Sequence, residues 1–97
     1  MLNKEQIKMC EKIIKNSTEI KQSFVAIEEM AELQQAISKV HRASTIPAID
    51  HIAEEIADVY IILEQLKIMF GIDNTEIEEQ IEFKLQRELK RTENKNS

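Results

Sequence analysis

The chain has no tryptophan, one glycine, one proline and one cysteine, and aromatic side chains make up only 4% of its 97 residues. Each shortage excludes something. Few turn-forming residues leave little material for the reversals of a β-sheet, and the many Leu, Ile, Glu, Lys and Gln favour helices. Cys10 is alone, so there is no disulfide framework and no cysteine-based metal site within one chain. Long apolar runs are missing too. The longest, Val59 to Leu63, is far too short to cross a bilayer, and the first residues lack the apolar run of a signal peptide. There is no surplus of positive charge: the net charge of −5 argues against nucleic acid as a main partner, because gripping a phosphate backbone takes a basic face. The expectation is a cytoplasmic, all-α protein with neither a membrane nor a nucleic acid as partner.

What is present is helical periodicity. A first helix is predicted from about Lys4 to Lys15, with Ile7, Cys10 or Glu11, and Ile14 on one face. Asn16-Ser17-Thr18 interrupts it, and Ser17 or Thr18 can cap a second helix running from about Glu19 to His41. That helix is apolar on two sides. Met30, Leu33 and Ile37 form one stripe and Phe24, Ile27 and Ala31 another, a pattern of central or interface helices. Ser44-Thr45-Ile46-Pro47 reads as a short loop leading into a third helix, about Pro47 to Phe70, which Gly71 ends. Asp73-Asn74-Thr75 opens a fourth helix, with Thr75 and Glu78 at capping-box spacing. It carries Ile77, Ile81, Leu85 and Leu89 and frays in a polar tail over about 92–97. Residues 1–97 therefore make a single domain of four helices. Its core is thin, so two or more chains are expected to share one.

Two stretches break the expected partition of charge. Ile27-Glu28-Glu29-Met30-Ala31-Glu32-Leu33 and Ala53-Glu54-Glu55-Ile56-Ala57-Asp58-Val59 have the same pattern, two Glu, any residue, Ala, an acid and an aliphatic. Residues three apart share a helix face, which pairs Glu29 with Glu32 and Glu55 with Asp58. At about 100° per residue, Val25, Leu33, Ala36 and Val40 flank Glu29, and Ile52, Val59, Ile62 and Leu66 flank Glu55. Both acid pairs thus lie against apolar stripes. A single Glu-x-x-Glu is most often a solvated face, and Glu28 and Glu54 taken alone read as surface residues. Two matched pairs on apolar faces are different. Buried carboxylates are costly and like charges resist joint ionisation, and a divalent cation resolves both difficulties. An all-oxygen donor set selects Mg²⁺ or Mn²⁺ over Zn²⁺ or Cu²⁺, with one or two ions held and positions left for water and phosphates.

The two stretches together resemble the EExxE…ExxD signature of the MazG-like all-α nucleoside triphosphate pyrophosphohydrolases, over about Glu19 to Arg91. The resemblance implies a MazG-like helical bundle completed by oligomerisation, as a homo-dimer or homo-tetramer. It implies a Mg²⁺-dependent hydrolysis of a (d)NTP to (d)NMP and pyrophosphate. Glu29, Glu32, Glu55 and Asp58 take the metal-ligand positions, and Glu28 is a further ligand or the catalytic base that positions water. Lys84, Arg87 and Arg91 lie at i, i+3 and i+7 and are the candidates for the substrate phosphates; the alternative for them is a charged, solvated helix face. Family members often carry Asn shortly after the lysine, and the residue four after Lys84 is Glu88.

Two other classes compete. A di-iron four-helix protein needs Glu-x-x-His pairs, and the residues three before His41 and His51 are Ser38 and Ala48. A non-catalytic helical assembly or regulatory module retaining the bundle would use the two-sided second helix for association, and predicts no metal-dependent stabilisation.

Overall fold

Capping chemistry divides the chain into four helices. The computed structural model describes residues 1–43 and 46–96 as α1 (Lys4–Lys15), α2 (Glu19–Ala43), α3 (Ile46–Phe70) and α4 (Asn74–Asn96). Among the described residues there is no strand, and no helix is long and apolar enough to cross a membrane. Asn3 Oδ1 accepts from the Gln6 amide at 2.8 Å while Gln6 Oε1 accepts from the Asn3 amide at 2.9 Å, a reciprocal cap on α1. Of the two candidates ahead of α2, Thr18 is the cap, its Oγ1 accepting from the Lys21 amide at 3.1 Å. The expected Ser44–Thr45 loop lies outside the described residues. Pro47 falls in the first turn of α3, where its missing N–H has no partner to lose.

Gly71 ends α3 as expected. Its φ of +61° is left-handed, and the Ile72 amide reaches back to the Lys67 carbonyl at 2.9 Å, a closure that a side-chain-bearing residue adopts only under strain. The next helix differs from expectation at both ends. Asp73 rather than Thr75 stands at the cap, its Oδ1 accepting from the Thr75 amide at 3.4 Å. Helix then continues to Asn96, past the point where the polar tail was expected to fray.

Packing follows the apolar spacing. Gln22, Ala26, Glu29, Leu33, Ala36 and Val40 line the seam of α2, against Ala48, Ile52, Glu55, Val59, Ile62 and Leu66 of α3. The two helices run antiparallel and pack chiefly on each other, and α1 covers the C-terminal half of α3, where Cys10 is buried beside Gln65 and Glu64. The buried apolar positions are few and mostly small: Ala26, Ala36, Ala48 and Ile62 in the seam, with Cys10 from α1. By contrast, α4 makes no extended contact with the other helices, and Ile81, Phe83, Leu85 and Leu89 are more than half exposed. The radius of gyration, 16.6 Å, exceeds the roughly 12.5 Å of a compact domain of this length. Four helices form, but three of them hold the core.

The seam includes a buried polar layer. Gln22 Nε2 donates to Gln65 Oε1 at 2.7 Å, and Ser17 Oγ donates to Gln22 Oε1 at 3.0 Å. Burying amides this way is neutral only while every partner is kept. Gln65→Leu is expected to lower stability by about 1–3 kcal/mol, the cost of stranding a buried polar group. The double variant Q22L/Q65L is expected to lose less than the sum of the two single changes. Urea unfolding of the four proteins measures this, and additive losses would show that the amides act independently.

Candidate metal centre

The antiparallel seam brings the two acid stretches to one level. Glu29 takes an interior position of α2 and Glu55 the equivalent position of α3, where it is 7% exposed. Glu32 and Asp58 follow one turn later on the open edge of the seam. Carboxylate oxygens of Glu29, Glu32 and Glu55 lie within 4.8 Å of one another. Asp58 is outside that three-way convergence but close enough for its charge to act on Glu29. The geometry is therefore three acids around one point and a fourth against the first of them.

Two observations show that this is more than a crowded polar surface. Glu29 Oε2 and Glu55 Oε2 are buried and have no hydrogen-bond partner. In addition, the Glu29 carboxyl is held above its ordinary range, by burial first and then by the charges of Glu32, Asp58 and Glu55. Orphaned oxygens and mutual repulsion are the two defects that a cation removes. The donor set, all carboxylate, fits a hard divalent ion such as Mg²⁺ or Mn²⁺.

The remaining predicted residues are placed differently. Glu28 is exposed on the flank of α2 beside the cluster. Lys84, Arg87 and Arg91 are exposed on α4, and Arg87 sits over the Phe83 ring at 5.8 Å from its centroid. Within one chain the structure does not gather these cations with the acids, because α4 makes no extended contact with α2 or α3. Among the described residues no ion pair engages them. A surface hollow between α1 and the start of α2, lined by Met9, Ile13, Lys21 and Gln22 among others, shares no residue with the acid cluster.

One participant was not identified from the sequence. His51 was weighed only as a di-iron ligand and set aside, yet its ring lies between the carboxylates of Glu54 and Glu55. The available signal was its position, three and four residues before two acids, which places all three on adjoining helix positions. No family model, no curated protein and no solved structure matches the chain.

The raised pKa of Glu29 has a signed consequence. The folded state holds this proton more tightly than the unfolded chain, so the contribution is fully present below the ordinary value of 4.5 and is lost as pH rises through the raised value. At neutral pH without metal, Glu29 is a source of instability. Glu29→Gln is expected to raise the melting temperature of the metal-free protein at pH 7 and to flatten its decline with rising pH. Thermal melts in a chelator across a pH series test this; a variant that melts lower than wild type at pH 7 would contradict it.

Proposed function

We propose that this chain is a subunit of a Mg²⁺-dependent nucleotide pyrophosphohydrolase that converts a (d)NTP to the (d)NMP and pyrophosphate. The observation that carries the proposal is the convergence of Glu29, Glu32 and Glu55 from two helices, with buried, unpartnered oxygens on Glu29 and Glu55. The EExxE…ExxD pattern in which these acids occur, similar to that of the MazG-like enzymes, supplies the reaction class.

In this proposal Glu29, Glu32 and Glu55 hold the ion and Asp58 completes the set from beside Glu29. Mg²⁺ suits the site, and Mn²⁺ can substitute. When bound, the cation neutralises the triphosphate and stabilises the charge that develops on the leaving pyrophosphate. Glu28, exposed next to the cluster, is placed to hold a water and accept its proton as that water attacks phosphorus. Lys84, Arg87 and Arg91 are the cations for the substrate phosphates. Since α4 lies off the acid cluster in its own chain, their part in the site depends on assembly into a homo-dimer or homo-tetramer. The exposed stripe Ile81, Leu85 and Leu89, and the second stripe of α2 with Phe24 62% and Ile27 58% exposed, are surfaces that such assembly would cover.

The same separation of cations from acids favours a second reading, a non-catalytic helical assembly or regulatory module that retains the bundle. Pyrophosphate release from a panel of NTPs and dNTPs, with and without Mg²⁺, distinguishes the two. Metal-dependent turnover of any nucleotide is expected. Glu32→Gln and Asp58→Asn are each expected to lower it by at least the roughly 10–100-fold that loss of a supporting partner costs a metal site. Full activity in either variant would overturn the ligand assignment, and silence of the wild type across the panel with no thermal response to Mg²⁺ would favour the non-catalytic module. Leu85→Glu is expected to reduce the sedimenting mass of the particle; a wild-type chain that sediments as a monomer would refute the assembly.

A further inference from the structure

His51 precedes the acids of α3 by one turn and reaches two of them. Its Nδ1 lies 3.5 Å from Glu54 Oε2 and its Nε2 lies 3.6 Å from Glu55 Oε1. At these lengths the ring faces both carboxylates without a formed hydrogen bond. The three side chains span a gradient of exposure, 76% for Glu54, 46% for His51 and 9% for Glu55, so the ring bridges from solvent to the buried acid. The two oxygens of Glu55 are thereby divided. Oε1 faces the imidazole, while Oε2 is buried with no protein partner.

We propose that His51 is the positioning residue of the metal centre, orienting Glu55 from behind so that Oε2 alone is presented to a divalent cation. The inference rests on the metal-centre reading above and extends it to ion selectivity. Through Nε2 the imidazole offers a donor position toward Oε1. His51 does not itself join the convergence of Glu29, Glu32 and Glu55; it faces one of them.

Two physical consequences follow from this placement. A glutamate side chain loses rotamer freedom when it binds an ion, and a partner that fixes the carboxylate beforehand removes part of that cost. Furthermore, an acid with one oxygen turned to a ring nitrogen offers the other to an ion. Ca²⁺ readily takes both oxygens of a carboxylate, whereas Mg²⁺ requires a small octahedral shell. His51 thus biases the centre toward Mg²⁺ and Mn²⁺ and against Ca²⁺.

Calorimetric titration of Mn²⁺, Mg²⁺ and Ca²⁺ into the full chain tests the proposal on the wild type, His51→Ala, His51→Gln and Glu55→Gln. His51→Ala is expected to weaken Mn²⁺ and Mg²⁺ binding by about 10–100-fold and to lose Ca²⁺ affinity by less, so that the Mg²⁺-to-Ca²⁺ preference shrinks. His51→Gln, which keeps an N–H donor, should recover most of both. A purely structural role would not move the selectivity ratio, and metal-free melts of the two His51 variants should match wild type because the ring is half exposed. If Glu55→Gln abolishes binding while His51→Ala binds all three ions as wild type does, the positioning role is refuted and the metal centre stands. If the wild type binds no divalent ion, the metal centre itself fails, and this inference with it. Nitrogen coupling in the spectrum of bound Mn²⁺ would instead make His51 a ligand and overturn the positioning role.

Discussion

The repulsion among carboxylates held inside the α2–α3 seam is the constraint on which the rest of the structure depends. Ordinarily a seam of this kind is apolar throughout, and acids are turned to water. Here Glu29 and Glu55 occupy interior positions, and their neighbours are arranged to keep them there. Alanines at 26, 36 and 48 let the helices approach closely on either side of the acids. The approach is what makes three carboxylates converge; larger residues at those positions would separate the helices and leave each acid to its own solvent.

Close approach alone does not align two acid stretches; register does. The buried Gln22–Gln65 pair supplies it. Glu29 lies seven residues after Gln22 (29 − 22), and Asp58 lies seven before Gln65 (65 − 58), so in an antiparallel pair they share a level two turns away. Glu32 and Glu55 are each ten residues from the same pair (32 − 22 and 65 − 55). Sliding one helix by a turn would break a 2.7 Å amide hydrogen bond between buried groups and separate the acids in the same movement. A polar pair that adds little to net stability can therefore still determine where the charges meet.

This division also explains what the sequence disclosed. Helices and their seam faces were legible because apolar spacing repeats every three to four residues, and Glu29 and Glu55 stood out as acids interrupting that spacing. Gln22, Gln65 and Glu64 were not legible as buried. Glutamine and glutamate at such spacing read as solvent-facing, and only the packing of α1 over α3 puts Gln65 and Glu64 inside. His51 was hidden for a related reason: its partners are exposed Glu54 on one side and buried Glu55 on the other, and sequence does not distinguish them. Capping at Asp73 rather than Thr75 turned on a choice between adjacent polar residues, which depends on where the chain leaves Gly71. The destination of α4 was the least legible, since an apolar stripe states that it must be covered but not by what.

The electrostatics of the proposed reaction order its parts. A nucleoside triphosphate is a polyanion, and the chain carries a net charge of −5 with Glu29, Glu32 and Glu55 gathered where, in the proposal, the substrate comes. Long-range forces therefore oppose encounter until cations intervene. In the proposal two sources supply them, an ion held by the acid cluster and the basic edge of α4. They are not interchangeable. In that proposal the ion cancels the charge that repels substrate, whereas Lys84, Arg87 and Arg91 add attraction only where assembly brings α4 of another chain to the acids. Occupancy of the acid cluster consequently comes first, and the geometry that favours it, a buried oxygen of Glu55 left free while the other faces His51, is already present in a single chain.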